Sequence, residues 1–518
     1  MGFAGAARGQ ATQWSDIANN GRNMVSPAKN LPDEISTATL LWNFPLEGKH
    51  VFSQVHLVGD YLFVGGDANI LRDEALRNSN PRGGGILCLN RRTGDLVWEL
   101  SLPGKSYDGS YGVGSAPVVE GDRVYIHANA FIMCVDLKGL SNGNDGPFTD
   151  EITFDNRFAP EGQELRELKP NHADIIWQIY AKESFRTSVH DASAGTPLLD
   201  GDVLWSTTSH QIGNHAAAAW KPTDAAFVVA LDKRTGRVLA RDQADVPIVF
   251  HGSWSSLSLG EVNKQKAIFW ADGHGRLHAF KPVEAKNDGT TQTLQEYWVF
   301  DANPPDWRYE DGKPILYSKH NQLFGKYPTD VEWAPYPAGH KEQTLRGPCE
   351  FIATPVYYDG RIYIGLGRDH YYTNSPEAAA RGIFYCLDPN GEGDITKTNV
   401  VWKTDKVGRT QSTASIADGL LYVADMVGNL NCLDIKTGEL VWQHNVGRFV
   451  ECRSQLLADG KIYVANEKRE VFVFKAGREK VLLSQGLLPG FVVTPAADDG
   501  VIYFATNRNI AAYGSAKK

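Results

Sequence analysis

The phrase LCLNRRTGDLVW at residues 87–98 returns as NCLDIKTGELVW at residues 431–442. Both copies run from an apolar Cys-Leu-Asp/Asn segment through a Thr-Gly pair to a Trp four residues after the Gly. A chain that repeats one pattern at such separation is assembled from copies of a single supersecondary unit, and no copy buries its apolar face alone.

Reading backwards lengthens the unit. The clearest copy begins with Ser-Thr at 412–413, passes through the alternating run Ser-Ile-Ala, turns at Asp418-Gly419, and continues as Leu-Leu-Tyr-Val-Ala. It then reaches the Cys432 phrase, Thr437-Gly438 and Trp442. Alternating apolar residues predict half-buried strands, and the Asp-Gly and Thr-Gly pairs predict the turns, so each unit holds four short antiparallel strands. Further starts fall near His56, Ser115, Gly195, Ser253, Ala353, Thr413, Ser454 and Val493, giving about eight units. Radial repetition of such sheets makes a propeller.

The last unit ends with Tyr513 and lacks its Thr-Gly-x-x-x-Trp strand, whereas Thr39-Leu-Leu-Trp-Asn-Phe44 stands before the first unit as a fourth strand with nothing ahead of it. Pairing the two would close the ring and remove two open edges. The expected fold is therefore all-β, an eight-bladed propeller of four-stranded antiparallel blades spanning 39–514, with an N-terminal strand closing the last blade.

Residues 1–38 read as the remnant of an export signal, with Gly9-Gln10-Ala11 as a small-x-small cleavage site, followed by an extended lead-in. That predicts a periplasmic or secreted protein. The formal charge of −9 provides no broad basic face and argues against nucleic acid as a partner. No apolar run is long enough to span a bilayer. Of six cysteines, Cys88, Cys134, Cys386 and Cys432 hold equivalent places in the repeat, so they read as small buried hydrophobes and not as a disulfide or metal framework.

The pattern Thr-Pro-x-x-x-Asp-Gly-x-x-Tyr followed by Cys-Leu-Asp-x-x-Thr-Gly-x-x-x-Trp resembles the pyrroloquinoline quinone (PQQ)-like repeat of quinoprotein dehydrogenases and of the BamB-type assembly lipoprotein. The phrases at 141–150 and 251–256 are similar to those of an exported subgroup of that superfamily. The resemblance implies a fold far more strongly than a reaction.

The insertions point to one face. Turns between the second and third strands, and crossings between blades, share that face and receive the long segments 67–84, 208–225, 301–347 and 368–382; the other face stays tight apart from 137–173. Loops of this length, rich in aromatic residues, suit the wall of a binding funnel. The residues expected to do chemistry there are His190, Asp191, His251, Glu350, Arg409, Glu451 and Arg453. Tyr111, Trp254, Arg346, Gln411, His274, Asp369 and His370 are expected to hold the ligand, and His210 with His215 to offer a divalent metal site. Such a mixture supports binding and processing of a small polar ligand, a carbohydrate by preference, through His/carboxylate/Arg acid–base chemistry. Two alternatives remain open: a BamB-like scaffold that binds a protein partner, and a PQQ-dependent dehydrogenase. The resemblance would then imply a quinone stacked on Trp254, but the chain has no adjacent Cys pair of the methanol-dehydrogenase kind. Asn142-Gly-Asn-Asp145 resembles a fragment of a calcium loop; without the spacing and terminal Glu of such loops it reads as a polar turn.

Overall fold

The structure is a computed structural model. It describes residues 22–51, 53–104, 112–187, 189, 192–210, 225–243, 252–285, 289–315, 348–367, 380–447 and 453–515. Eight sheets follow one another around a ring, with each blade's first strand nearest the axis. Blade 1 comprises His56–Val58, Tyr61–Asp67, Gly84–Asn90 and Leu96–Leu102, and blade 2 comprises Val118–Glu120, Arg123–Ala128, Phe131–Asp136 and Ile175–Tyr180. Blade 3 runs from Leu198–Asp200 to Val238–Arg241, blade 4 from Ser258–Val262 to Glu296–Asp301, and blade 5 from Val356–Tyr358 to Val400–Thr404. Blade 6 runs from Ser415–Ala417 to Leu440–Asn445, and blade 7 from Leu456–Ala458 to Val481–Leu487. In blade 8, Ala496–Asp498, Val501–Ala505 and Asn509–Gly514 are completed by Leu40–Pro45. The seam is the expected one: Leu40 lies opposite Tyr513 and Trp42 opposite Ala512 in an antiparallel ladder.

The core is a set of layers between blades. One apolar cluster joins blades 1 and 2, another blades 4 and 5, another blades 6 and 7, and the seam cluster joins blades 7, 8 and 1. The repeated phrase builds these joints. In each outer strand the Trp faces a small residue on the third strand: Cys88 with Trp98, Cys134 with Trp177, Cys386 with Trp402, Cys432 with Trp442. Its indole then reaches the next blade. Trp98 donates to Leu137 O at 2.8 Å, Trp177 to Lys233 O at 3.1 Å, Trp402 to Ile435 O at 2.9 Å, and Trp442 to Gly477 O at 2.9 Å. Across the seam Trp42 donates to Arg91 O at 2.9 Å.

The Gly of the following blade's Thr-Gly turn receives the ring. A Cβ on Gly438 would lie 2.4 Å from Trp402, and one on Gly94 2.8 Å from Trp42; both glycines have positive φ, +73° and +79°. Tight approach and left-handed backbone together require glycine there. The phrase therefore recurs because each copy is a socket for its neighbour. Blades 3 and 7 have Ala240 and Ser484 at the Trp position.

Two features go beyond the sequence expectation. The lead-in is part of the fold from Arg22 onward. Asn23 pairs through its amide with both N–H and C=O of Ile416 in blade 6, Val25–Ser26 lies parallel to the inner strand of blade 7, and Ser26 Oγ donates to Ala497 O of blade 8 at 2.8 Å. Arg22 spans the axis, donating to Leu257 O at 2.5 Å and Pro197 O at 2.8 Å on blades 4 and 3. This strap then leaves past Asp459 and Tyr463 to become the closing strand.

Second, the supposedly tight face carries extended links that cover blade edges. Gln292–Thr293 adds a parallel fifth strand to blade 3, Gly393–Asp394 does the same for blade 4, and His172 bridges Glu99 at the edge of blade 1. Unpaired edge N–H and C=O groups are the physical reason for such covers. Exposed large apolar residues gather on outer strands without these covers: Val401, Leu440, Leu482, Leu483, Leu487, Leu40 and Leu41, on blades 5 to 8.

Candidate functional site

The inner strands of blades 3 to 8 are each entered through a Ser or Thr two residues before the strand, where blades 1 and 2 have Gln54 and Ala116. These hydroxyls form a belt around the axis, each accepting a backbone N–H from the blade before it. Ala116 N donates to Thr196 Oγ1 at 3.1 Å, Thr196 N to Ser256 Oγ at 3.0 Å, Ser256 N to Thr354 Oγ1 at 3.2 Å, and Thr354 N to Thr413 Oγ1 at 3.4 Å. Thr413 N donates to Ser454 Oγ at 2.9 Å and Ser454 N to Thr494 Oγ1 at 2.8 Å.

A hydroxyl that accepts in this way still carries an O–H donor. Among the described residues none of these six donates its proton to a protein acceptor. All six line an axial cavity of about 70 Å³, together with Gln54, Trp254, Ile352 and Gln411. Arg22 is bonded to the carbonyls of Pro197 and Leu257, each one residue beyond a belt hydroxyl, Thr196 and Ser256.

Seven of the sequence-expected residues are described. Trp254 and Gln411 line the cavity. Glu350, Arg409 and Arg453 lie on the crossings into blades 5, 6 and 7 and are 0%, 0% and 6% exposed. Their backbones are fixed to the second strands and to the belt: Gly367 N donates to Glu350 O, Met426 N to Arg409 O, and Ser412 Oγ to Arg453 O. Arg409 Nε donates to Arg381 O at 3.3 Å.

His274 is held away from the belt in a local lattice, with Arg308 at 2.9 Å from its Nε2 and Arg308 in turn paired with Asp301 at 2.7 Å. His210 is buried and meets Phe227 edge-on, with ring centroids 5.1 Å apart. His190, Asp191, His251, Glu451, Tyr111, Arg346, Asp369, His370 and His215 lie outside the described residues.

Sequence reasoning missed the belt, Arg22, and a triad in blade 4 whose Asp272 and His278 are buried and whose Glu296 is exposed. The Ser/Thr at each unit's start was the available signal for the belt. In the triad, Asp272 caps the turn between the second and third strands, accepting from His274 N at 2.9 Å and Arg276 N at 2.7 Å. Its other oxygen meets His278 Nε2 at 3.2 Å, and Glu296 meets Nδ1 at 2.8 Å.

Burial alone would push the imidazole down, but the hydrogen bonds to Asp272 and Glu296 outweigh it and hold His278 at about 9. Because the folded value lies above the ordinary 6.5, the triad's stabilisation is full below pH 6.5 and is lost as pH rises through 9. The melting temperature is therefore expected to fall across that window, by an amount equivalent to roughly 3 kcal/mol. His278→Asn is expected to melt lower and to lose this pH dependence; an unchanged slope in the variant refutes the assignment.

Among the described residues that line the cavity there is no carboxylate of the kind that would hold the calcium accompanying a quinone. Among the described residues no helix is long and apolar enough to cross a membrane.

Eight radial four-stranded blades, inter-blade Trp sockets and an axial hydroxyl belt define a PQQ-like β-propeller. The family model described as outer membrane protein assembly factor BamB matches residues 33–245 and 381–474, more than half of the chain, and the chain belongs to that family. BamB from Moraxella catarrhalis superimposes with a TM-score of 0.52 at 9% identity, covering 92% of this chain and 99% of that one. Quinohemoprotein alcohol dehydrogenase from Comamonas testosteroni gives a TM-score of 0.44 at 12% identity, over 99% of this chain and 82% of that one. A tetrathionate hydrolase of Acidithiobacillus ferrooxidans is 25% identical over 235 residues, 43% of this chain and 46% of that protein. The chain thus matches somewhat under half the length of this curated relative.

Proposed function

We propose that the protein binds a small oxyanion at the axial belt and hydrolyses it there. The observation that carries this reading is the belt itself: six hydroxyls line one cavity, each with its acceptor side used and its proton to spare. A wall of O–H donors is complementary to an acceptor-rich guest. Arg409 and Arg453, buried on the crossings beside Gln411 and Ser454, are the groups assigned to hold the anion, and Glu350, buried on the crossing into blade 5, is the carboxylate assigned as base. Guanidinium groups favour planar and tetrahedral oxyanions through paired N–H donors.

A lining of O–H donors favours an acceptor-rich anion over a sugar, whose hydroxyls need acceptors as well as donors, so the oxyanion replaces the carbohydrate as the preferred ligand. The partial likeness to a tetrathionate hydrolase supports a sulfur oxyanion and a hydrolytic reaction. In that reaction the belt and the arginines would hold the anion and stabilise charge on the leaving group, and Glu350 is the carboxylate assigned to take a proton from attacking water. Export to the periplasm or beyond is part of the proposal.

Calorimetric titration with sulfate, thiosulfate and tetrathionate, and with maltose as an uncharged guest, tests it. Oxyanions are expected to bind and maltose not to, and Arg453→Gln to weaken oxyanion binding about tenfold or more, the loss of one charge-assisted contact. Tetrathionate is expected to release protons on turnover, and Glu350→Gln to bind without turnover. No heat with any oxyanion, or equal binding of maltose, overturns the reading. The bare apolar edges of blades 5 to 8 favour a second reading, a scaffold for a protein partner; a protein inert to every oxyanion would favour that instead.

A further inference from the structure

The excursion of blade 2, residues 137–174, folds back over the outer strand and buries acidic groups without a cation among them. Asp174 is 0% exposed and Glu151 is 2% exposed. They stand side by side, since Glu151 Oε1 accepts from Ile175 N at 3.3 Å, next to Asp174 in the chain. The turn at 142–146 closes over both: Asp145 N donates to Asp174 Oδ2 at 3.1 Å, and Asn144 Nδ2 donates to Glu151 Oε2 at 2.9 Å.

The second oxygen of Asp174, Oδ1, is buried and meets no donor. Burial, with the nearby charges of Glu151, Asp136 and Asp145, pushes this carboxyl up to about 6, and burial beside Glu151 pushes Asp155 well above its ordinary range. Asp136 is already neutralised by Arg123 at 2.7 Å. An orphaned buried carboxylate oxygen costs several kcal/mol unless something positive or protonated meets it.

We propose that this turn is a divalent-cation site, selective for calcium, with Asp174 and Glu151 as its carboxylate ligands. Among the described residues no three Asp, Glu, His or Cys side chains already converge on a metal-sized point. The site therefore completes itself with the Asn144 amide oxygen, the exposed Asp145 carboxylate, backbone carbonyls and water. An all-oxygen, partly hydrated set with flexible geometry is what calcium accepts and what transition metals do not favour. Residues 142–145 are exposed and give the ion its entry. The ion would pin the excursion, which packs Phe154 into the layer between blades 1 and 2 and accepts the Trp98 indole at Leu137.

The test uses the full chain stripped with chelator and titrated separately with CaCl2 and with Tb³⁺, excited through nearby tryptophan. Calcium is expected to raise the melting temperature, and Tb³⁺ to give saturable luminescence that calcium displaces. Asp174→Asn, nearly isosteric, is expected to weaken both at least tenfold while leaving oxyanion binding at the axis unchanged. Should that variant not fold, the wild-type titrations decide. A wild-type melting temperature equal in calcium and chelator with no Tb³⁺ signal overturns the proposal, as does undiminished affinity in Asp174→Asn. Either result would mean that Asp174 is carried as a neutral acid.

Discussion

Trp98→Ala is expected to lower the stability of the whole ring by about 3–5 kcal/mol. The side chain is fully buried, packs against Phe63 with ring centroids 5.9 Å apart, and donates to Leu137 O of the next blade. Truncation removes the apolar contact, leaves a cavity that the surrounding strands cannot collapse into, and takes the indole donor from the part-buried Leu137 carbonyl. Trp98→Phe keeps most of the volume and loses only the N–H, so its cost should be nearer 1–2 kcal/mol. Leu440→Ala, on an exposed outer strand at 37% exposure, is expected to change little and serves as the control. Urea midpoints of the three proteins give the comparison. A loss below about 1 kcal/mol for Trp98→Ala would mean that the repeated phrase shapes turns without joining blades.

Deleting residues 1–45 is expected to abolish cooperative unfolding altogether. The truncated chain would keep three strands in blade 8, with the ladder of Asn509–Gly514 open to solvent, and would lose the Arg22–Ser26 segment that ties blades 3, 4, 6, 7 and 8 across the axis. An open edge beside an exposed inter-blade layer is also an aggregation site. A peptide of residues 22–45 added in trans is expected to restore a sharp thermal transition. If the truncated protein melts within about 2 °C of the full chain, the seam and strap are dispensable. Such a result would require another source for the 5–15 kcal/mol that holds a domain of this kind together.

The ring was legible because its signals are local. Cys432, Thr437-Gly438 and Trp442 sit within eleven residues, and both the strand alternation and the turn glycine can be read there directly. The closing strand was legible by subtraction, since Trp42 has the phrase's ending without its beginning. The strap was not: Arg22 and Asn23 look like any polar leader, and their partners lie hundreds of residues away, at Leu257 and Ile416. The belt was half legible. Each Ser or Thr could be seen as a repeat position, but its acceptor role depends on a neighbouring blade tens of residues distant.

That Glu350, Arg409 and Arg453 sit on crossings between blades was legible from the repeat, and the structure adds that all three are buried there. His278 was not legible, because an alternating strand position gives no hint that two carboxylates will flank it. The Asn142-Gly-Asn-Asp145 turn was weighed on its own residues, whereas its meaning depends on Asp174 and Glu151 beneath it.

The join between Asn43 and Asn509, which hydrogen-bond to each other across 466 residues of sequence, also sets a clock. At ribosomal speeds of about 5–20 residues per second, the early segment must wait about half a minute to a minute and a half before its partner strand exists. During that interval six apolar inter-blade layers can form in order, but the first blade has no neighbour on one side. Until the last blade exists the early strand has no ladder to join, so closure of the ring is the final step of assembly.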